Sequence, residues 1–409
     1  MGKRTWIKTS LTLLLPLLLA AQGAGCMAAR LLFEDAIAAD SAAPPPVVTP
    51  KPEPYPLQWP APFATLAESR YVVRLLSQQN YENAMAIYAG TMNFESRIRL
   101  PYPMRGEELA QLIRILALDC PEMFQCTTGN IYEAQYYQEN GKIYRMDPAY
   151  QYTQEAYAAK RAAQDAAASA ILSGTQGMSA YAAILYCHDT LLHKCEYLKQ
   201  PEAGTTTAYG ALVGGKAQCY GYSLAMLQLL RGLGIPGFIL TGHTWEKETG
   251  AYTRAHHWIA AALDGAWYAI DPTHDDLGGQ AIYHAHFCVS DQDMLRVSIR
   301  DEAFYGSLVR LPPCAGGQQD YYVKTDARVS PGEDASAAFA RIVCYAFATG
   351  QTQAEMRFTD AAQYAKLKEA LKSRETMGEA WDSLQAIEYK YSAFDRQQVV
   401  VVYFTADAP

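Results

Sequence analysis

Residues Gly215–Asp276 read GKAQCYGYSLAMLQLLRGLGIPGFILTGHTWEKETGAYTRAHHWIAAALDGAWYAIDPTHDD, and this stretch decides how the rest of the chain is read. After Cys219, residues Tyr222, Met226, Leu229 and Leu233 recur at helical spacing. Gly232, Gly234 and Pro236 end that run, so a helix is predicted to begin at or near Cys219. Unpaired N–H groups and the helix dipole favour thiolate over thiol at such a position. Gly221 leaves space for another backbone, or for a substrate, to come close.

Further on, Trp258–Leu263 and Trp267–Ile270 read as strands joined by Asp264-Gly265, a pair suited to two-residue hairpin turns. With Leu263 opposite Ala266, Trp258 faces Asp271 and His256 faces Thr273. Side chains alternate between sheet faces, so His256, Trp258 and Asp271 share one face, with Asp271 diagonal to His256 and within reach. Ile259, Ala261, Leu263, Tyr268 and Ile270 line the other face, which reads as core, and His257 points to it. The register therefore selects His256 rather than His257 as a base, and a one-residue slip would reverse the choice.

These residue types suit nucleophilic catalysis. The Cys219 thiolate attacks a carbonyl carbon, His256 moves the proton, and Asp271 fixes the imidazole tautomer. A cysteine inside an apolar helix is usually inert packing; the registered histidine and aspartate shift the reading to chemistry. Gln218, Tyr220, Trp258 and His243 are the candidate substrate-side residues. His243 and His274 read equally as ordinary loop histidines.

The remaining sequence supplies the setting. The chain has 409 residues, enough for two to three domains, and 50% hydrophobic residues predict a packed core. A net charge of -8 with no basic stripe argues against a nucleic-acid partner. The 29 tyrosines suit half-buried strand faces. Lys3, Arg4 and Lys8 precede the apolar run Leu11–Ala21, which is too short to span a bilayer and reads as an export signal. Gly23-Ala24-Gly25-Cys26 resembles a bacterial lipobox, with Gly23 where Leu is usual. Lipidation at Cys26 and plain secretion both remain open. Residues 27–62 form a proline-rich linker, a semi-rigid spacer. Nine cysteines, less Cys26 and Cys219, leave an odd number, so a complete disulfide framework is not expected. Cys187 and Cys195 are placed on one helix, too far apart to bridge. With His188 and His193 they match no standard zinc spacing, so no metal is assigned.

Flanking the central stretch, helices are expected over Glu68–Tyr88, Glu107–Leu118, Thr153–Leu172, Met178–His193, Asp334–Thr349 and Ala361–Lys372. Strands are expected at Ser96–Leu100 and Glu355–Thr359. Hairpins are expected around Asn140-Gly141 and from Ile387–Tyr391 to Val399–Phe404. Tyr283–Val297 reads as a strand and a short helix. The order helix, strand, helix, hairpin occurs on both sides of the centre and suggests a weak repeat.

GKAQCYGYSLAMLQLLRGLGIPGFILTG, then His256-His257-Trp258, then DGAWYAIDPTHDD, together resemble the transglutaminase-like superfamily across about residues 180–297. In that family the catalytic histidine stands two before a tryptophan, which is His256 here, and Ile259 stands where Asn is frequent. The resemblance implies an α+β papain-like core, with the cysteine helix packed on an antiparallel sheet bearing His and Asp and with small flanking α/β modules. Together with the leader, the proline run and the flanking elements, the chain divides into 1–26 signal, 27–62 linker, 63–175 N-terminal module, 176–322 catalytic domain and 323–409 C-terminal module. The implied function is exported acyl transfer on peptide, protein or cell-wall peptide amides, with hydrolysis favoured over transfer to an amine. No metal or organic cofactor is called for. A membrane contact would come through a lipidated Cys26. The alternative is a non-catalytic surface-binding module.

Overall fold

A computed structural model describes residues 70–128, 131–278, 282–306, 308–373 and 389–404. The signal, the proline-rich linker and Cys26 lie outside these residues.

The first elements are α1 (Gln78–Met92), β1 (Ile98–Met104), α2 (Gly106–Asp119), β2 (Ala134–Glu139) and β3 (Lys142–Pro148). They form a three-stranded sheet of order β1-β3-β2 with two helices. The helix expected from Glu68 is interrupted. A single 3-10 turn occupies Val73–Leu75, and α1 starts only after Ser77, whose hydroxyl accepts from the Asn80 N–H. A side-chain cap of this kind defines a fresh helix start. At the β2–β3 turn, Asn140 and Gly141 both have positive φ, as the predicted two-residue hairpin requires.

Next come α3 (Gln154–Ser173), α4 (Ala180–Lys194) and α5 (Cys219–Gly232). The central sheet follows: β4 (Gly237–Glu246), β5 (Ala251–Leu263) and β6 (Ala266–Ile270), then the short helices α6 (Pro272–Asp275) and α7 (Asp291–Met294), and β7 (Ser298–Arg300). Its order is β6-β5-β4-β7, antiparallel throughout. Helix α5 is buried along most of its length because α3, α4 and the sheet surround it. A helix apolar on all sides belongs in such a place. Cys195 caps α4 rather than lying within it, and both Cys187 and Cys195 are buried.

The expected strand in Tyr283–Val297 does not form. Only an isolated bridge, Ala269 to Val289, touches this segment, with a second, Asp276 to Ile282, just before it. Its backbone has other partners: the His286 N–H donates to the Asp275 carboxylate, and the His286 carbonyl accepts from the Asp271 N–H. Groups bonded in this way are not free for a ladder.

The C-terminal part contains α8 (Tyr321–Lys324), β8 (Arg328–Val329), α9 (Ala335–Ala348), β9 (Gln353–Phe358), α10 (Ala361–Ser373), β10 (Tyr389–Phe394) and β11 (Val399–Phe404). Its sheet order is β8-β9-β11-β10. Here β9, like β1 in the N-terminal part, pairs antiparallel with the last strand of the hairpin that follows it, while β8 adds to β9 in parallel. One apolar core runs continuously from Val72 to Cys314, across residue 175. A second gathers Tyr283, Ala285 and Tyr322 with residues up to Val402. The fold is α+β.

Candidate active site

Cys219 is the first residue of α5, and Gln218 is its N-cap, without a side-chain cap bond. The loop at Thr205–Thr207 holds this end: the Gln218 N–H donates to the Thr205 carbonyl at 2.8 Å. A Cβ on Gly221 would come 2.6 Å from that same carbonyl oxygen, so glycine here permits the loop to pack against the first turn. The space read from Gly221 is filled by backbone. Cys219 is half-buried, and the other described cysteines are buried apart from Cys344. All eight are free thiols.

The β5–β6 register has Leu263 opposite Ala266 and Ile259 opposite Ile270, with positive φ at Asp264 and Gly265. His256, Trp258 and Asp271 therefore share a face, and His256 Nε2 lies 2.7 Å from Asp271 Oδ2. Asp271 is fully buried and caps α6: its Oδ1 accepts the N–H groups of Thr273 and His274, each at 3.1 Å. Its Oδ2 is shared with a second imidazole, since His274 Nδ1 lies 2.6 Å away. His274 Nε2 in turn meets Thr244 Oγ1 at 3.1 Å. His274 thus belongs to the site. Asp-Pro-Thr-His places it one helical turn after Asp271, a signal that strand periodicity alone does not reveal.

His257, on the opposite face, meets the cysteine. Cys219 Sγ lies 3.8 Å from His257 Nδ1, and the Tyr220 ring packs on the same imidazole at 5.0 Å. Two adjacent histidines thus divide between them the sulfur contact and the carboxylate contact.

Burial and charge set the proton affinities. Burial alone would raise the Asp271 carboxyl, but His256 and His274 outweigh it and hold it well below the usual carboxylate range. Burial pushes His256 below the ordinary imidazole value, although Asp271 pulls the other way. Burial pushes His257 down to about 3, and neighbouring His256 adds to the effect. For His274 burial also opposes the charge, but Asp271 prevails and the value rises. The carboxylate is therefore ionised at neutral pH with imidazoles on two sides.

Of the expected substrate-side residues, Gln218 and His243 are half-buried near the start of α5 and on β4. Trp258 is fully buried and stacks on His256, with ring centroids 5.9 Å apart. Tyr220 is also buried. Both therefore support the two imidazoles rather than offer surface to a substrate. Ile259 is fully buried between Ile239 and Ile270, an apolar place where an amide would find no partner.

A cysteine starting a buried helix, set against a sheet that carries paired histidine and aspartate, is the arrangement of a papain-like cysteine site. Residues 137–272 match the family model of the transglutaminase-like superfamily. No curated protein matches the chain. Among solved structures, the chain is similar to a protein of Cytophaga hutchinsonii named a candidate cysteine protease, at 14% identity and TM-score 0.25, over 43% of this chain and 69% of that one. It is similar to a TGase at 14% identity and TM-score 0.26, over 58% of this chain and 59% of that one. It is also similar to the periplasmic domain of TgpA from Pseudomonas aeruginosa, at 17% identity and TM-score 0.23, over 34% and 62%.

Proposed function

We propose that this protein is an exported cysteine-dependent acyl-transfer enzyme that cleaves peptide or protein amides. Cys219 is the nucleophile, His256 the general base and acid, and Asp271 the group that orients His256. The observation that carries this reading is the 2.7 Å contact of His256 with a buried, ionised Asp271, in the same matched domain as a half-buried cysteine at a helix start. The Cys219 sulfur adds to the carbonyl carbon while its proton passes to the imidazole. Collapse of the tetrahedral adduct breaks the C–N bond, the imidazolium protonates the departing amine, and a thioester remains. Water then attacks the thioester, gives its proton to the imidazole, and releases acid and free thiol.

A second reading exchanges the histidines. The 3.8 Å contact favours His257 as the first proton acceptor, with the His256–Asp271 pair acting beside it. The low proton affinity of His257 weighs against it, because a base pushed that far down holds a thiol proton poorly.

Export and membrane attachment through Cys26 rest on the leader sequence, and the substrate class of peptides, proteins or cell-wall peptides rests on the family. The test is incubation of the full chain with casein and a fluorescent primary amine. Cleavage lost in Cys219→Ala supports hydrolysis, and amine incorporation lost in the same variant moves the function to transfer. Neither product from the wild type, or equal product from Cys219→Ala, would leave a surface-binding module as the better reading.

A further inference from the structure

We propose a divalent-metal site, separate from the active site, formed by His188, Asp189 and His284 and suited to Zn2+ or a similar first-row ion.

The donor atoms form a small triangle. Asp189 Oδ1 lies 2.9 Å from His188 Nδ1 and 3.0 Å from His284 Nε2, and one donor atom from each residue falls within 4.8 Å of the others. Bonds of about 2.0–2.1 Å in a tetrahedral zinc site place neighbouring ligand atoms roughly 3.3 Å apart. The two sides that meet at Asp189 Oδ1 are within a few tenths of an ångström of that spacing, and the side between the two imidazoles is bounded by 4.8 Å. Two imidazoles and one carboxylate leave a fourth position for water, and Asp189 provides the approach, because its side chain is 32% exposed while His188 and His284 are buried.

The far nitrogens carry the argument further. His284 Nδ1 lies 2.7 Å from Glu355 Oε1, and His188 Nε2 lies 3.4 Å from Asp275 Oδ2. Each imidazole therefore has a carboxylate at both ring nitrogens. A neutral imidazole has one N–H and can satisfy only one of them. A cation between the three inner atoms removes the conflict: each histidine gives a lone pair inward and keeps its proton for the outer carboxylate. Metal-ligating histidines are usually braced by carboxylates in this manner. The alternative is a run of buried imidazolium ions facing Asp189, Asp275 and Glu355, with further hydrogen bonds to Asp275 from His286 and to Glu355 from the His284 N–H, the Tyr322 hydroxyl and Gln353. The nearby guanidinium of Arg357 is already engaged by Asp320 at 2.6 Å and by the Ala285 carbonyl.

The site joins parts of the chain that pack separately. His188 and Asp189 lie on α4 in the first core, His284 in the segment that follows α6, and Glu355 on β9 in the second core. A bound ion would fasten the C-terminal part to the catalytic part. His284 is 95 residues from Asp189, so no local spacing could have announced the set.

The test uses the full-length chain, stripped with a chelator and titrated with Zn2+, and separately with Co2+ for its ligand-field absorption. The expected result is one ion per chain, a tetrahedral cobalt spectrum and a higher Tm on loading. Asp189→Asn and His284→Gln should each weaken binding by at least 100-fold, and Glu355→Gln by about 10–100-fold. Cys219→Ala should bind as tightly as wild type, so this inference stands or falls apart from the catalytic one. Asp189, being part-exposed, is the variant read if His284→Gln does not fold. Less than a tenth of an equivalent bound by wild type, or binding that survives Asp189→Asn, would overturn the proposal. So would binding lost in His274→Gln but kept in Asp189→Asn, because the ion would then lie at Asp271.

Discussion

His256 on β5 and Asp271 at the end of β6 meet at 2.7 Å because a two-residue turn fixes the register between their strands. The carboxylate cannot drift from the imidazole, since its other oxygen is held by the N–H groups of Thr273 and His274. An acceptor that is fixed before substrate arrives needs no reorganisation during the reaction.

Asp271→Asn should therefore lower kcat by a large factor, on the order of 10⁴ where an orienting carboxylate is replaced by its amide. The amide can donate to His256 and present the wrong tautomer. Steady-state cleavage of a peptide substrate reads this, and a loss below tenfold would count against the role.

The same carboxylate makes stability depend on pH. Its folded-state proton affinity lies well below the ordinary value near 3.8. Its contribution is therefore complete above the unfolded value, constant from about pH 5 upward, and lost as pH falls towards the folded value. Urea unfolding of wild type and Asp271→Asn from about pH 5.5, below the range in which His274 titrates, to pH 3 should show a gap that is steady at first and narrows below about pH 4. A gap that widened in acid would contradict the assignment.

Gly221→Ala sets two effects against each other. Alanine in a helix gains about 1 kcal/mol over glycine. The new methyl group would stand 2.6 Å from the Thr205 carbonyl oxygen, a backbone atom that cannot swing aside. Overpacking of this kind costs about 1–3 kcal/mol, so net destabilisation is expected, with reduced activity because the loop beside Cys219 is displaced. Thermal unfolding measures it; a raised Tm would show that the loop yields freely.

Separating the two histidines is a matter of kinetics. With His256 as the base, His256→Gln should reduce kcat/KM by about 10²–10⁴, and His257→Gln by much less. The reverse order would transfer the proton to His257, the residue that the sulfur touches.

Much of this was legible in the sequence because it rests on local rules. Asp264-Gly265 determines a turn, the turn determines a register, and the register brings His256 to Asp271. Gly232, Gly234 and Pro236 mark the end of the helix that Cys219 begins. What escaped depends on contacts across the chain. The side of the sheet on which α5 packs decides that Cys219 meets His257, and no strand periodicity carries that information. The Tyr283–Val297 segment alternates like a strand, yet its His284 and His286 N–H groups bond to the Glu355 and Asp275 carboxylates, which only the folded chain brings near. Trp258, expected near substrate, is drawn inward by its packing on His256.

The most direct test of the central claim is the rate of Cys219 alkylation by iodoacetamide as a function of pH, followed by mass spectrometry in the full-length protein. An activated nucleophile should label rapidly at pH 6, and slow by about tenfold or more in His256→Gln. Labelling that rises only near pH 8.5, as for an ordinary thiol, and is unchanged in His256→Gln and His257→Gln would contradict it.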